Sequence, residues 1–288
     1  MRLYKIFGTL TITFLIFLLG FIGGIKKTFP YNEIIKLKET IANSFLDEDL
    51  PDNCALPHLK LLPAKFSAVV GHAYGSPGSH NGFIDPKLEK FIKKNNKKIS
   101  KLFLTGDVFS VPSLAKWDKL FEVLDKNSII VAPGNHDILR EDSREIFYLS
   151  EAYSQEFPYF TESDGINILV DDSISSKWEL SSKLVSKIND WNDSLVVMRH
   201  NPPIQELAQF MNSTSGIGQL LDILKLDKTI TNSNNITWVF GDGGAFEIMP
   251  RIICKSYNNH KFIINGLGGF KNDKIIIIYE GNLYSYEM

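Results

Sequence analysis

From about residue 65 onward, short apolar runs alternate with segments of helical spacing. Apolar runs at 65–70, 101–105, 128–132, 165–170, 194–198, 236–240, 261–264, 274–279 and 283–286 have the length and β-branched content of strands. Apolar residues three and four positions apart predict helices over 86–97, 113–125 and 178–191, the first opening on Pro86. Helices alternate with strands early, and strands crowd the C-terminal end. That order predicts an α/β domain in which two mixed sheets pack face to face with helices outside.

A different pattern stands in front of it. Residues 6–25, IFGTLTITFLIFLLGFIGGI, carry no charge. As a helix they reach about 30 Å, the thickness of a bilayer's hydrocarbon core. A cleaved signal peptide has a shorter apolar stretch and a small-residue cleavage site, and the following IKKTFP offers none. Residues 1–27 are therefore expected to be a retained single-pass membrane anchor. Arg2 and Lys5 flank one side, Lys26 and Lys27 the other, so charge leaves the orientation open. Residues 28–62 read as a stalk and linker, with apolar positions 34, 37, 41 and 45 at helical spacing and then an acidic, proline-punctuated stretch. The folded domain is expected over 63–288.

Composition narrows the class. The 288 residues hold 31 Lys+Arg against 33 Asp+Glu, a formal charge of -2, and 44% are apolar. That excludes a disordered chain and a disulfide-stapled mini-protein, and it argues against a nucleic-acid partner, which calls for a basic surplus. Cys54 and Cys254 are the two cysteines. Two unpaired thiols are the expectation, with pairing the alternative in an oxidising compartment.

The chemistry gathers where strands end, the position at which open α/β sheets place ligands. GHAYG (71–75) follows the first strand, Gly106-Asp107 the second and PGNHD (133–137) the third. Arg199-His200-Asn201-Pro202-Pro203 and GDGGAF (241–246) follow two later strands. Asp107 is a hard oxygen donor able to bridge two cations, Asn135 offers a carbonyl oxygen, His200 an imidazole and Asp242 a second carboxylate. Such an N/O mixture suits Mn, Fe or Zn. A lone Gly-Asp is usually a turn and a lone histidine usually structural, so the inference rests on the ordered set.

That set, Gly106-Asp107, Gly134-Asn135-His136-Asp137, His200 and Gly241-Asp242, resembles the calcineurin-like metallophosphoesterases over roughly residues 65–288. Softer features agree: Ile168-Leu169-Val170-Asp171 before a connecting helix, and the glycine-rich 264–269. The resemblance implies a four-layer αββα sandwich, a phosphate mono- or diester as substrate, and one or two divalent ions. It implies that Asn135 also contacts phosphate, that His136 protonates the leaving group, and that Asp137 fixes the tautomer of His136. Two motifs depart from the family pattern. GHAYG places His72 where the family has Asp and Tyr74 where it has His; GDGG places Asp242 and Gly244 where the family has two His. One ion site then keeps Asp107, Asn135, His200 and Asp242, whereas the other is reduced to His72 and Asp107, with Tyr74 beside them. Arg199, Tyr74 and His80 are further candidates for substrate contact. The anchor points to envelope lipid or glycan phosphates. The competing reading is a degenerate, membrane-tethered binding or scaffolding protein on the same fold.

Overall fold

A computed structural model describes residues 54–75, 81–177, 179–202, 229–231, 234–242, 252–268 and 273–288. Among the described residues, eleven strands, numbered in chain order, form two mixed sheets. β1 (Phe66–Val70), β2 (Ile99–Leu104) and β3 (Ile129–Val131) run parallel, and β10 (Lys274–Tyr279) and β11 (Asn282–Glu287) complete the order β11-β10-β1-β2-β3 antiparallel. The second sheet has the order β4-β5-β6-β7-β9-β8. Its parallel centre is β5 (Ile166–Val170), β6 (Leu195–Arg199), β7 (Ile236–Phe240) and β9 (His260–Asn265). β4 (Tyr159–Ser163) and β8 (Ile252–Tyr257) close the two edges antiparallel.

Strand alternation divides the apolar residues among three cores. In β1, Phe66, Ala68 and Val70 face helices while Val69 faces the other sheet; in β2, Leu102 and Leu104 part from Phe103 in the same way. Between the sheets, Val69, Phe103 and Ile276 meet Ile168, Val196 and Val239. Over the outer face of the first sheet lie α1 (Pro86–Asn95), α2 (Leu114–Val123), α3 (Asn135–Ile138) and α4 (Glu141–Leu149). α5 (Ser182–Asn189) covers the second sheet with Leu184 and Ile188. Helix starts are built locally: Asp85, Ser113 and Ser181 each accept a first-turn N–H. Burying Leu88, Phe91 and Ile92 of α1 contributes about 1.5–3 kcal/mol each.

Pairing register brings the motif loops out at one end. Val70 pairs with Leu104 and Leu104 with Val131, so β1, β2 and β3 stop level. Val170 pairs with Met198 and Arg199 with Phe240, which levels β5, β6 and β7.

Several expectations change. Cys54 and Cys254 are not free thiols: they form a disulfide, with Cα atoms 5.3 Å apart and 200 residues between them in sequence. Residues 54–62, expected as linker, lie on the domain. Pro57 O accepts from Ser285 N at 2.8 Å, Leu59 N donates to Ser285 O at 2.9 Å, and Leu59 and Leu62 pack on the first core. The helix expected over 178–191 starts at Ser182, because Ser181 caps it. β4, β8, α3 and α4 are additional elements. The expected anchor and the stalk helix lie outside the described residues; among those described, no helix is long and apolar enough to cross a membrane.

Candidate metal centre

The centre is organised on Asp107, 1% exposed. The chain reaches it through Gly106 at φ +88°, and Asp107 itself has φ +54°, so two consecutive residues hold left-handed backbone. A side chain at Gly106 would strike the His200 ring, and one at Gly134 would strike the Asp107 carboxylate. The two glycines let three strand-end loops close on one point. The His136 N–H then donates to Asp107 Oδ1 at 2.9 Å.

Three imidazoles surround this carboxylate, each fixed from behind by a backbone carbonyl. His72 Nδ1 lies 2.6 Å from Gly75 O, His136 Nδ1 2.8 Å from Ser110 O and His200 Nδ1 2.9 Å from Thr105 O. A carbonyl only accepts, so each Nδ1 carries the hydrogen and each Nε2 is turned inward. His72 Nε2 stands 3.4 Å from Asp107 Oδ2, His200 Nε2 3.5 Å from Asp107 Oδ1, and His136 Nε2 4.0 Å from Asp107 Oδ2. His200 Nε2 also meets Asn135 Oδ1 at 3.2 Å and Asp242 Oδ1 at 3.6 Å. Asp107, Asn135, His200 and Asp242 therefore converge, and His72 joins from the other side of Asp107.

Burial presses His72 down to about 4 against the pull of Asp107, so its ring is neutral at pH 7. Its Nε2 lone pair then faces a carboxylate oxygen, two acceptors with no proton between them. For Asp107, burial acts upward, but the imidazoles of His200, His72 and His136 outweigh it and hold the carboxyl below its usual range. Burial opposes charge on His200 too, yet Asp107 and Asp242 raise its proton affinity. The field at this point therefore draws positive charge.

Among the described residues, no group of three or more His, Cys, Asp or Glu side chains is placed so that it could hold a metal ion as it stands. The donors stand edge to edge instead, and the amide of Asn135 is a further donor outside that set. Bonds of about 2.0–2.2 Å put neighbouring ligand atoms about 2.8–3.1 Å apart in an octahedral shell and about 3.3–3.6 Å apart in a tetrahedral one. The observed 3.2–3.6 Å spacings between Nε2 and oxygen exceed the octahedral edge and lie close to the tetrahedral one. The donor types and the carbonyl-backed imidazoles are of the kind that suits a divalent cation.

Other expected residues are placed differently. Asp137 is fully buried and turned away from the His136 ring nitrogens. It accepts from Asp107 N at 2.8 Å, Val108 N at 3.1 Å and Gly134 N at 2.9 Å, stapling two motif loops together. Burial and then the Asp107 charge push its carboxyl up to about 7, while the N–H donors pull against them. Ser110 O fixes the His136 tautomer in the place expected for Asp137. Arg199 is 0% exposed and reaches Asp171 Oδ2 at 3.4 Å and Glu179 O at 3.2 Å, so it is buried structure and has no access to a substrate here. Tyr74 is buried, its ring 4.5 Å from that of His72 and its hydroxyl 3.5 Å from His136 Nε2. Burial, with Asp107 behind it, raises that hydroxyl and keeps it a neutral phenol. His80 and Gly244 lie outside the described residues.

Three contributors were not singled out from sequence. Ser110 and Thr105 act through carbonyls, which any residue type supplies. Asn201, next to His200, donates from Nδ2 to Asp242 Oδ2 at 3.1 Å. Its place beside His200 was its one visible signal.

The calcineurin-like phosphoesterase family pattern matches residues 58–244, more than half of the chain. The chain belongs to the calcineurin-like phosphoesterase family, whose members use divalent metals. No curated protein matches it in sequence. A solved structure of a conserved uncharacterised protein from Streptococcus pneumoniae TIGR4, described as a predicted phosphoesterase, is similar at 10% identity and a TM-score of 0.30. That match covers 79% of this chain and 100% of the other, and a likeness so distant carries no argument.

Proposed function

We propose that the protein is a metal-dependent phosphoester hydrolase on a membrane anchor, with its folded domain in an oxidising compartment. The reading is carried by the inward Nε2 atoms of His72 and His200 held 3.4 and 3.5 Å from the two oxygens of Asp107. Asp107, Asn135, His200 and Asp242 would hold one ion of the Mn, Fe or Zn type, and His72 with Asp107 Oδ2 a second. When bound, a divalent cation supplies Lewis acidity to the phosphoryl group and to the attacking water.

The chain's own residues complete the reaction. Asn135 turns its amide oxygen into the pocket and leaves its Nδ2 hydrogens for a phosphoryl oxygen. His136 has Nδ1 tied to Ser110 O, and its side chain is 37% exposed, the most open of the three imidazoles at Asp107. As an imidazolium, with Nδ1–H still on Ser110 O, it would give its Nε2 proton to the leaving alkoxide as water oxygen bonds to phosphorus and the ester P–O bond breaks, and the proton shed by the attacking water would restore the imidazolium. Buried His72, Asp107 and His200 keep bulk water from their side of the pocket. The Cys54–Cys254 bond favours the oxidising compartment. With the anchor expected at 6–25, phosphate esters of envelope lipid or glycan are the proposed substrates.

The test uses the full chain in detergent. Metal content is measured by mass spectrometry, and hydrolysis of p-nitrophenyl phosphate and bis(p-nitrophenyl) phosphate is followed with Mn, Fe or Zn. Metal-dependent turnover lost in Asp107→Asn is expected. Stoichiometric metal without turnover on either ester would turn the reading into a binding protein, and absence of metal binding would overturn both.

A further inference from the structure

We infer that Asn201, set by Ser173, is a positioning residue that makes Asp242 a one-oxygen ligand and tilts the pocket toward oxygen-preferring cations such as Mn2+. The inference rests on the metal reading above.

The hydrogen-bond directions are determined by the chain itself. Asn201 N–H donates to Ser173 Oγ at 3.0 Å, and Ser173 Oγ donates to Asn201 Oδ1 at 3.5 Å. With its amide oxygen so used, Asn201 can turn only its NH2 toward Asp242, where Nδ2 donates to Oδ2 at 3.1 Å. Ser173 and Asn201 are both 0% exposed, so water does not substitute for these bonds. The Asp242 N–H is itself tied to His200 O at 3.1 Å. One lone pair of Oδ2 is thereby engaged, and the other oxygen, Oδ1, stands 3.6 Å from His200 Nε2.

This clamp suits the residue found at 242. A carboxylate rotates freely and can chelate through two oxygens; an amide hydrogen on one of them fixes the plane of the group and favours the other as the donor. Asp107, Asp242 and Asn135 then offer oxygen, with one imidazole from His200. Three oxygen donors to one nitrogen shift preference from Zn2+ toward Mn2+.

The experiment titrates Mn2+ into the full chain in detergent, reading free ion by electron paramagnetic resonance, with Zn2+ affinity from a chelator competition. Outer-shell partners of metal ligands are worth about 10–100-fold in affinity. Asn201→Ala is expected to weaken Mn2+ by that factor and Zn2+ by less. Ser173→Ala is expected to act in the same direction by several-fold, and it carries the test should Asn201→Ala not fold. In Asn201→Ala, a second change, Asp242→His, is expected to recover Zn2+ but not Mn2+. A wild-type chain that binds neither ion would overturn the metal reading. Mn2+ affinity in Asn201→Ala and Ser173→Ala within twofold of a binding wild type would overturn this inference alone.

Discussion

Cys54→Ala opens the disulfide while leaving the Cys254 thiol, 1% exposed, in its place between the sheets. The bond closes a span of 200 residues. Its removal returns loop-closure entropy to the unfolded chain, and the chain-entropy relation for a loop of that size gives about 5 kcal/mol at 25 °C. The native side changes little, because Leu59 and Leu62 stay packed on the core and Ser285 still holds Pro57 and Leu59 through backbone hydrogen bonds. At about 2–4 °C per kcal/mol for a domain of this size, the midpoint of thermal unfolding should fall by about 10–20 °C. Urea unfolding of the full chain in detergent, followed by tryptophan fluorescence, reads the same loss. Its slope should steepen, since an uncrosslinked denatured chain exposes more surface. Maleimide should label wild type only after reduction and unfolding. Equal midpoints for wild type and Cys54→Ala, with labelling of unreduced wild type, would refute both the bond and the oxidising compartment argued from it.

Three further outcomes are expected. Arg199→Met leaves Asp171 as an unpaired buried charge and should cost about 3–5 kcal/mol in urea unfolding; adding Asp171→Leu should restore much of it, with KM for aryl phosphate unchanged. His136→Ala should lower kcat about 10²- to 10⁴-fold while metal content, by mass spectrometry, stays at the wild-type level. Mn2+ at a hundred times its Kd should stabilise the fold by about 2.7 kcal/mol in thermal scans, and Asp107→Asn should lose that increment.

Most of the strand framework was readable because it is continuously apolar: β7 and β10 match their expected limits residue for residue. β4 was not, since YFTES is an edge strand with a mixed burial pattern and little apolar content. α4 hides its single stripe behind the charges of EDSREIFYL. At the centre, residues that act through side-chain donors, such as Asp107, Asn135 and His200, were legible from type and order. Asp137 was legible as a member of the site, but its contacts were not: its partners are backbone N–H groups of loops that meet only in three dimensions. The disulfide escaped for the same reason, because a separation of 200 residues says nothing about proximity.

The end of β6 carries one more consequence. Arg199 reaches back to Asp171, while the next residue, His200, turns to Asp107 and Asp242. A slip of the strand by a single residue would seat an imidazole in the Asp171 cleft and thrust a permanent cation among the carboxylates. The guanidinium would neutralise the pocket from within, whereas the native order sends it to Asp171 and leaves the carboxylates facing an imidazole, so the order of the dipeptide decides whether the centre stays open to positive charge.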